Sequence, residues 1–293
     1  MSNLTTTANL PLNDKSSNRL RWAQSRTYAQ ALIIVLWCLA PFYWMVATAF
    51  RPTSATFETT LWPTQPTWDN FVTAFSTERG NHFGQALFNS VFVGVVVTVI
   101  ALLVGVFAAY ALARLNFRFK FMVLGIILGA SMFPGVALIT PLFELFTNLG
   151  WIGQYQALII PNISFVLPLT VYTLVSFFRE MPWELEEAAR MDGCTQGQAF
   201  RKVIMPLAAP AVFTTAILAF IASWNEFLIA SQLSDQNTQT VTVAIASFSG
   251  ALPQQEPYTA VMAAGTIVTV PLVIMVLVFQ RKIVAGLTAG GVK

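Results

Sequence analysis

Residues 83–113 read FGQALFNSVFVGVVVTVIALLVGVFAAYALA, without one charged side chain. A helix rises about 1.5 Å per residue and the hydrocarbon core of a bilayer is roughly 30 Å thick, so about 20 apolar residues cross it, and this run exceeds that length. In lipid the backbone must satisfy its own hydrogen bonds, and a run this long is no barrel strand, so it reads as a membrane-spanning helix. Uncharged intervals recur on both sides of it, at Thr27 to Phe50, Phe121 to Phe143, Leu145 to Phe178, Val203 to Asn225 and Pro257 to Gln280. The interval from Leu145 opens with the turn formers Asn148, Gly150 and Gly153, which places its helix from Tyr155 to Phe178. The expectation is an all-α integral membrane protein with six transmembrane helices.

Of the 293 residues, 56% are hydrophobic and 10% charged, against about 25% charged in an ordinary soluble domain, so a soluble globular protein is excluded and membrane lipid is the solvent. The net charge of +3 and the pI near 9.0 are read by position. Lys15, Arg19, Arg21 and Arg26 precede the first span, Arg114, Arg118 and Lys120 follow the second, Arg179, Arg190, Arg201 and Lys202 follow the fourth, and Arg281, Lys282 and Lys293 follow the sixth. The other side keeps Arg51 and Arg79. Basic residues mark cytoplasmic loops, so both termini are expected in the cytoplasm, and topology, not nucleic acid, explains the pI. Ala47-Thr48-Ala49 resembles a signal cleavage site, but the apolar stretch before it is longer than a signal core, so the first span is expected to be retained. The expected organisation is a cytoplasmic tail over 1–26, disordered over its polar first 18 residues, a six-helix domain over 27–282 and a C-terminal tail over 283–293. One histidine, His82, and two cysteines, Cys38 and Cys194, make no His/Cys metal cluster and no disulfide framework, so no metal is expected.

Between the fourth and fifth spans, the loop over 181–206 is too long for a simple connection and too patterned for a linker. Two short helices are expected there. Pro182 suits a first helical position, Glu184, Glu186 and Glu187 follow where negative charge favours a helix N-terminus, and Glu186 with Arg190 forms an i,i+4 pair. Gly193 supplies a left-handed stop, and Thr195 with Gln198 has capping-box spacing for a second helix that ends at Arg201 and Lys202.

Glu187-Ala188-Ala189, with Gly193 four residues on and Ile204-Met205-Pro206 beyond, resembles the EAA loop of bacterial ABC-importer permeases. Ala109-Tyr110-Ala111-Leu112-Ala113-Arg114, Met132-Phe133-Pro134, Trp224-Asn225-Glu226-Phe227 and the glycine-rich end from Gly286 to Lys293 are similar to the MalG-type sugar permeases. Within these, Ile139-Thr140-Pro141-Leu142-Phe143 and Gln198-Ala199-Phe200-Arg201-Lys202 resemble the trehalose importers of mycobacterial type. The resemblance covers nearly the whole chain beyond residue 26, and Cys194 departs from the usual alanine. It implies a type I importer in the bacterial cytoplasmic membrane, with a second permease subunit, two ATPase subunits and an extracellular sugar-binding protein. The implied substrate is trehalose or a related α-glucoside disaccharide, moved by alternating access. The loop then becomes a coupling helix in a cleft of the ATPase, with Glu187 offering a carboxylate, Ala188 and Ala189 allowing close approach, Asp192 in the same motif and Gly193 turning the chain. ATP and Mg belong to the ATPase, and this chain is expected to hold no cofactor. Gly286 to Lys293 is not a phosphate loop, because Val292 separates Gly291 from Lys293 and no Ser or Thr follows.

Two candidates lie on the outer side. Glu226 falls about 20 residues, or about 30 Å of helix, beyond Pro206, near the outer face. With Trp224 and Asn225 it offers the aromatic face and polar groups that hold sugars, a candidate substrate path. The compact loop with Phe248, Ser249, Gly250, Leu252 and Pro253 corresponds to the one that, in MalG-type permeases, reaches into the binding protein. An ion-coupled secondary transporter, the alternative class, would need ionisable groups near the midplane and repeated halves, and neither is evident. An intramembrane enzyme lacks a nucleophile and base within the spans.

Overall fold

A computed structural model describes residues 14–77, 81–248 and 258–289. The described residues form twelve α-helices in order: α1 Asp14–Ala49, α2 Asp69–Phe75, α3 Phe83–Arg114, α4 Lys120–Ser131, α5 Ile139–Asn148, α6 Tyr155–Glu180, α7 Glu184–Met191, α8 Gln196–Ala199, α9 Met205–Trp224, α10 Leu228–Leu233, α11 Val241–Ala246 and α12 Tyr258–Ala289. Among the described residues five helical stretches are long and apolar enough to cross a membrane, at Gln24–Ala49, Phe83–Arg114, Tyr155–Glu180, Gln196–Trp224 and Tyr258–Gln280.

The third expected span is not one straight helix. Lys120–Ser131 and Gly135–Asn148 meet at an 85° bend, and counting that pair as one broken crossing gives six. Pro134 explains the break: it has no N–H to donate, it excludes its predecessor from the helical region, and it is itself extended at ψ 117°. At the N-terminus, α1 begins at Asp14, so residues 14–18, expected in a disordered tail, are helical. At the other end, α12 runs on through Ala289, into the segment expected as a tail.

The centre is a three-helix core of α3, α6 and α9, with α1 paired to α12 and α12 leaning on α9. With lipid on the outside, helices associate through close packing and shared polar groups rather than by hiding apolar surface from water. Gly105 of α3 shows the closeness, since a Cβ there would fall 2.7 Å from the Thr170 methyl of α6. Asn162 of α6 donates to the Ser223 hydroxyl of α9 at 2.9 Å, a fully buried interhelical bond.

Candidate functional site

Helix α7 lies just beyond one end of the core and is built as its sequence suggests, with two changes. Thr195 and Gln198 form the complete capping box at the start of α8. Gly193 takes φ +85°, the Gly193 N–H bonds the Arg190 carbonyl at 3.0 Å, and the Cys194 N–H bonds that of Ala189 at 3.0 Å. This is the paired closure of a Schellman motif, and it needs a residue that tolerates the left-handed region. Pro182, expected as the first helical residue, instead precedes α7, which starts at Glu184 behind Trp183. The second helix, α8, passes through a π-turn at Phe200–Ile204 straight into α9.

The expected pair between Glu186 and Arg190 does not form, because Glu186 turns inward. It is 5% exposed, and its Oε1 accepts the Tyr110 hydroxyl of α3 at 2.7 Å. Ala189, one turn on, is also buried, while Glu187, Ala188, Asp192 and Gly193 are exposed and Met191 is 83% exposed. The two alanines therefore do not act alike: consecutive residues point about 100° apart on a helix, so Ala189 packs against the bundle and Ala188 faces out. One turn along α3 from Tyr110, Arg114 donates through Nη2 to the Met181 carbonyl at 2.6 Å and lies over the Trp183 ring at 4.5 Å. Tyr110, Arg114 and Trp183 were given no site role by sequence reasoning, and Glu186 was assigned the wrong partner. Their signal was the i,i+4 spacing of Tyr110 and Arg114 at the end of a span, which puts a hydroxyl and a guanidinium on one face.

At the opposite end, Trp224, Asn225 and Glu226 diverge. Trp224 is 2% exposed in a cluster with Phe83, Phe220 and Val241, its ring 5.5 Å from that of Phe220, so it is core packing and offers no open stacking face. Asn225 is exposed and donates to its own helix at Ile221. Glu226 accepts the Ile229 and Ala230 N–H groups at 2.7 and 3.0 Å, one on each oxygen, and so caps α10. The cavity beside Trp224, about 740 Å³ between α1, α9 and α12, is walled by apolar groups such as Phe42, Met45 and Leu272, the wrong lining for a sugar. Glu226→Gln is expected to cost about 1 kcal/mol of local stability, the usual scale of a lost cap, and to leave transport mostly intact. If Glu226 carried a coupling proton, uptake measured across pH would vanish in that variant.

The segment after α10 is pinned by Asn89 of α3, which is fully buried. Its Nδ2 donates to the Asn237 and Gln239 carbonyls at 2.8 and 2.9 Å, and its Oδ1 accepts from the Tyr155 hydroxyl at 2.8 Å and from Gln85 at 3.0 Å. Neighbouring Ser90 accepts the Val241 N–H at 2.7 Å. In the turn itself, burial pushes the Asp235 carboxyl up, but bonds from Thr238 and Asn237 outweigh it and hold the group below its ordinary value. A polar pocket of about 340 Å³, with Asn81, His82, Ser234, Asp235 and Gln239 in its wall, opens beside Phe248. Phe248 stands edge-on to Phe83 at 6.5 Å, and the other expected loop residues, Ser249, Gly250, Leu252 and Pro253, lie outside the described residues. Among the described residues no His, Cys, Asp and Glu side chains gather into a metal site.

The structure is thus a bundle of apolar spans with the short, capped helix α7 presented beyond it. The chain belongs to the family of binding-protein-dependent transport system inner membrane components, whose sequence model matches residues 69–288, and so is a multi-pass inner-membrane protein. It is 46% identical to the trehalose transport system permease protein SugB of Mycobacterium tuberculosis, over 92% of this chain and 99% of that one. It is 39% identical to the trehalose/maltose transport system permease protein MalG of Thermococcus litoralis, over 90% and 94% of the two chains. Its fold matches a chain in the crystal structure of a bacterial ABC transporter involved in the import of the acidic polysaccharide alginate, with a TM-score of 0.72 at 22% identity, covering 93% and 99% of the two chains.

Proposed function

We propose that this chain is one of two permeases in an ATP-driven, binding-protein-dependent importer of trehalose or a related α-glucoside disaccharide, working by alternating access. The observation that carries the reading is α7, a capped helix whose exposed face presents Glu187, Ala188, Asp192 and Met191 beyond the bundle. The named relatives supply the sugar class. In this reading α7 and both termini are cytoplasmic, and α7 docks in a cleft of one of two ATPase subunits, which bind ATP and Mg. ATP draws the ATPase pair together, the coupling helices follow, and the pore opens outward toward the sugar-binding protein; hydrolysis resets it. The loop of Phe248 to Pro253 meets the binding protein on the outer side. The capping role of Glu226 weighs against ion coupling, because both oxygens are already engaged by backbone N–H groups.

The complex reconstituted in proteoliposomes tests this. Trehalose-loaded binding protein is expected to stimulate ATP hydrolysis and sugar uptake together, with maltose weaker. Glu187→Ala should reduce the stimulation about tenfold, the scale of one charge-assisted hydrogen bond. Uptake driven by a proton or sodium gradient without ATP, or wild-type coupling in Glu187→Ala, would sink the reading.

A further inference from the structure

We propose that Tyr110 and Glu186 are positioning residues that make α7 move as one body with the central helices, so that a displacement of α7 is delivered to the bundle core; the inference rests on the importer reading above. The Tyr110 side chain is a node. Its hydroxyl holds Glu186 of α7, and its ring lies 6.0 Å from Phe178 of α6 and 4.5 Å from Phe200, in the π-turn that leads into α9. A single residue of α3 thus touches the coupling helix, the core helix α6 and the π-turn that leads into α9.

The chemistry of the contact goes beyond holding α7 in place. Glu186 is buried with Oε2 unpartnered, and Tyr110 is 9% exposed. A buried carboxyl with an unsatisfied oxygen lowers stability, and an apolar pair of the same shape would fasten the helix without that penalty. What the polar bond adds is direction. It fixes the rotation of α7 that puts Glu186 inside and Glu187 outside, and a rotation by one residue, about 100°, would exchange them. Arg114 grips the Met181 carbonyl and the Trp183 ring one turn further along α3, about 6 Å away, so the approach to α7 and its first turn are held at two points and α7 cannot pivot about one.

The test is the full complex with Tyr110→Phe, Glu186→Gln and Glu186→Leu, assayed with trehalose-loaded binding protein. Tyr110→Phe keeps the ring and its packing and removes the hydroxyl, which bonds Glu186 and also meets the Gln196 side chain at the start of α8. Its co-purified ATPase, basal ATP turnover and half-stimulating concentration of binding protein are expected at wild-type values. Maximal stimulation should fall about tenfold, which is about 1.4 kcal/mol, near the low end for a hydrogen bond to a charged group. Glu186→Leu should match it, and Glu186→Gln, whose amide oxygen still accepts from Tyr110, should keep most of the stimulation. Wild-type stimulation in Tyr110→Phe, equal loss in Gln and Leu, or loss of the ATPase subunits in all three would overturn the proposal. A second readout stands even if the wild-type complex shows no stimulation, the result that would sink the importer reading instead. A nitroxide on Met191→Cys, in a background lacking Cys38 and Cys194, is expected to report one narrow orientation of α7 in the wild type and a broad one in Tyr110→Phe. Identical spectra would overturn the proposal.

Discussion

Asn89→Leu is expected to unseat the outer end of the protein. The leucine is close in size, so the effect is electrostatic. The Tyr155 hydroxyl and the Asn237 and Gln239 carbonyls each lose a partly buried bond, while Gln85 can turn to solvent. A buried polar group left unpaired costs about 1 kcal/mol or more, and these three are only partly buried, so the loss is on the order of 1–2 kcal/mol. Asn89 of α3 holds the chain between α10 and α11 through its side-chain amide, so the damage should stay local, and limited proteolysis should cut near residues 236–246 while α7 remains protected. Sugar delivery should fall with it, because Phe248 directly follows that segment. Asn89→Asp, which keeps the acceptor and loses both donated bonds, should fall between. An unchanged melting temperature and cleavage pattern in Asn89→Leu would show that the amide bonds contribute nothing.

Gly193→Val is expected to disconnect transport from ATP hydrolysis. A Cβ at this position meets nothing within 4 Å, so crowding is not the cause. The cause is φ +85°, a region that costs an ordinary L-residue about 1–2 kcal/mol and a β-branched one more. If valine pulls the chain back to negative φ, the bonds to the Arg190 and Ala189 carbonyls open and α7 loses its closed end. A coupling loss of about tenfold or more corresponds to that strain. Gly193→Asn should be much milder, since asparagine visits the left-handed region readily. Uptake together with crosslinking of α7 to the ATPase is the measurement; normal transport in the valine variant, or equal loss in both, would refute the strain argument.

The parts of the structure legible in the sequence are those set by local chemistry. Apolar length gives the spans because lipid enforces it residue by residue. The Thr195 capping box and the Gly193 stop are equally local, each completed within a few positions. What stayed hidden depends on distant partners. Glu186 has a plausible neighbour four residues on, but its actual partner is Tyr110, 76 positions away, and only the packing of α7 against α3 decides between them. Trp224 at the end of a span looks like an exposed aromatic until Phe83 and Val241, from two other elements, close over it. Counting apolar residues is likewise blind to direction, so Phe121 to Phe143 passed as one crossing although Pro134 turns the chain by 85°.

That turn has a consequence for how the protein lives in a cell. Around Met132, Phe133 and Pro134 the helix ladder is interrupted, and Met132 is 86% exposed. Irregular backbone at membrane depth persists only where protein or water covers it. In the importer reading proposed above, a lone copy of this chain leaves this interrupted ladder exposed, and a second subunit laid across it would cover it. Synthesised without its companion, the chain should be an orphan that membrane proteases clear within its first rounds of inspection, so that its abundance follows the companion's supply rather than its own gene's.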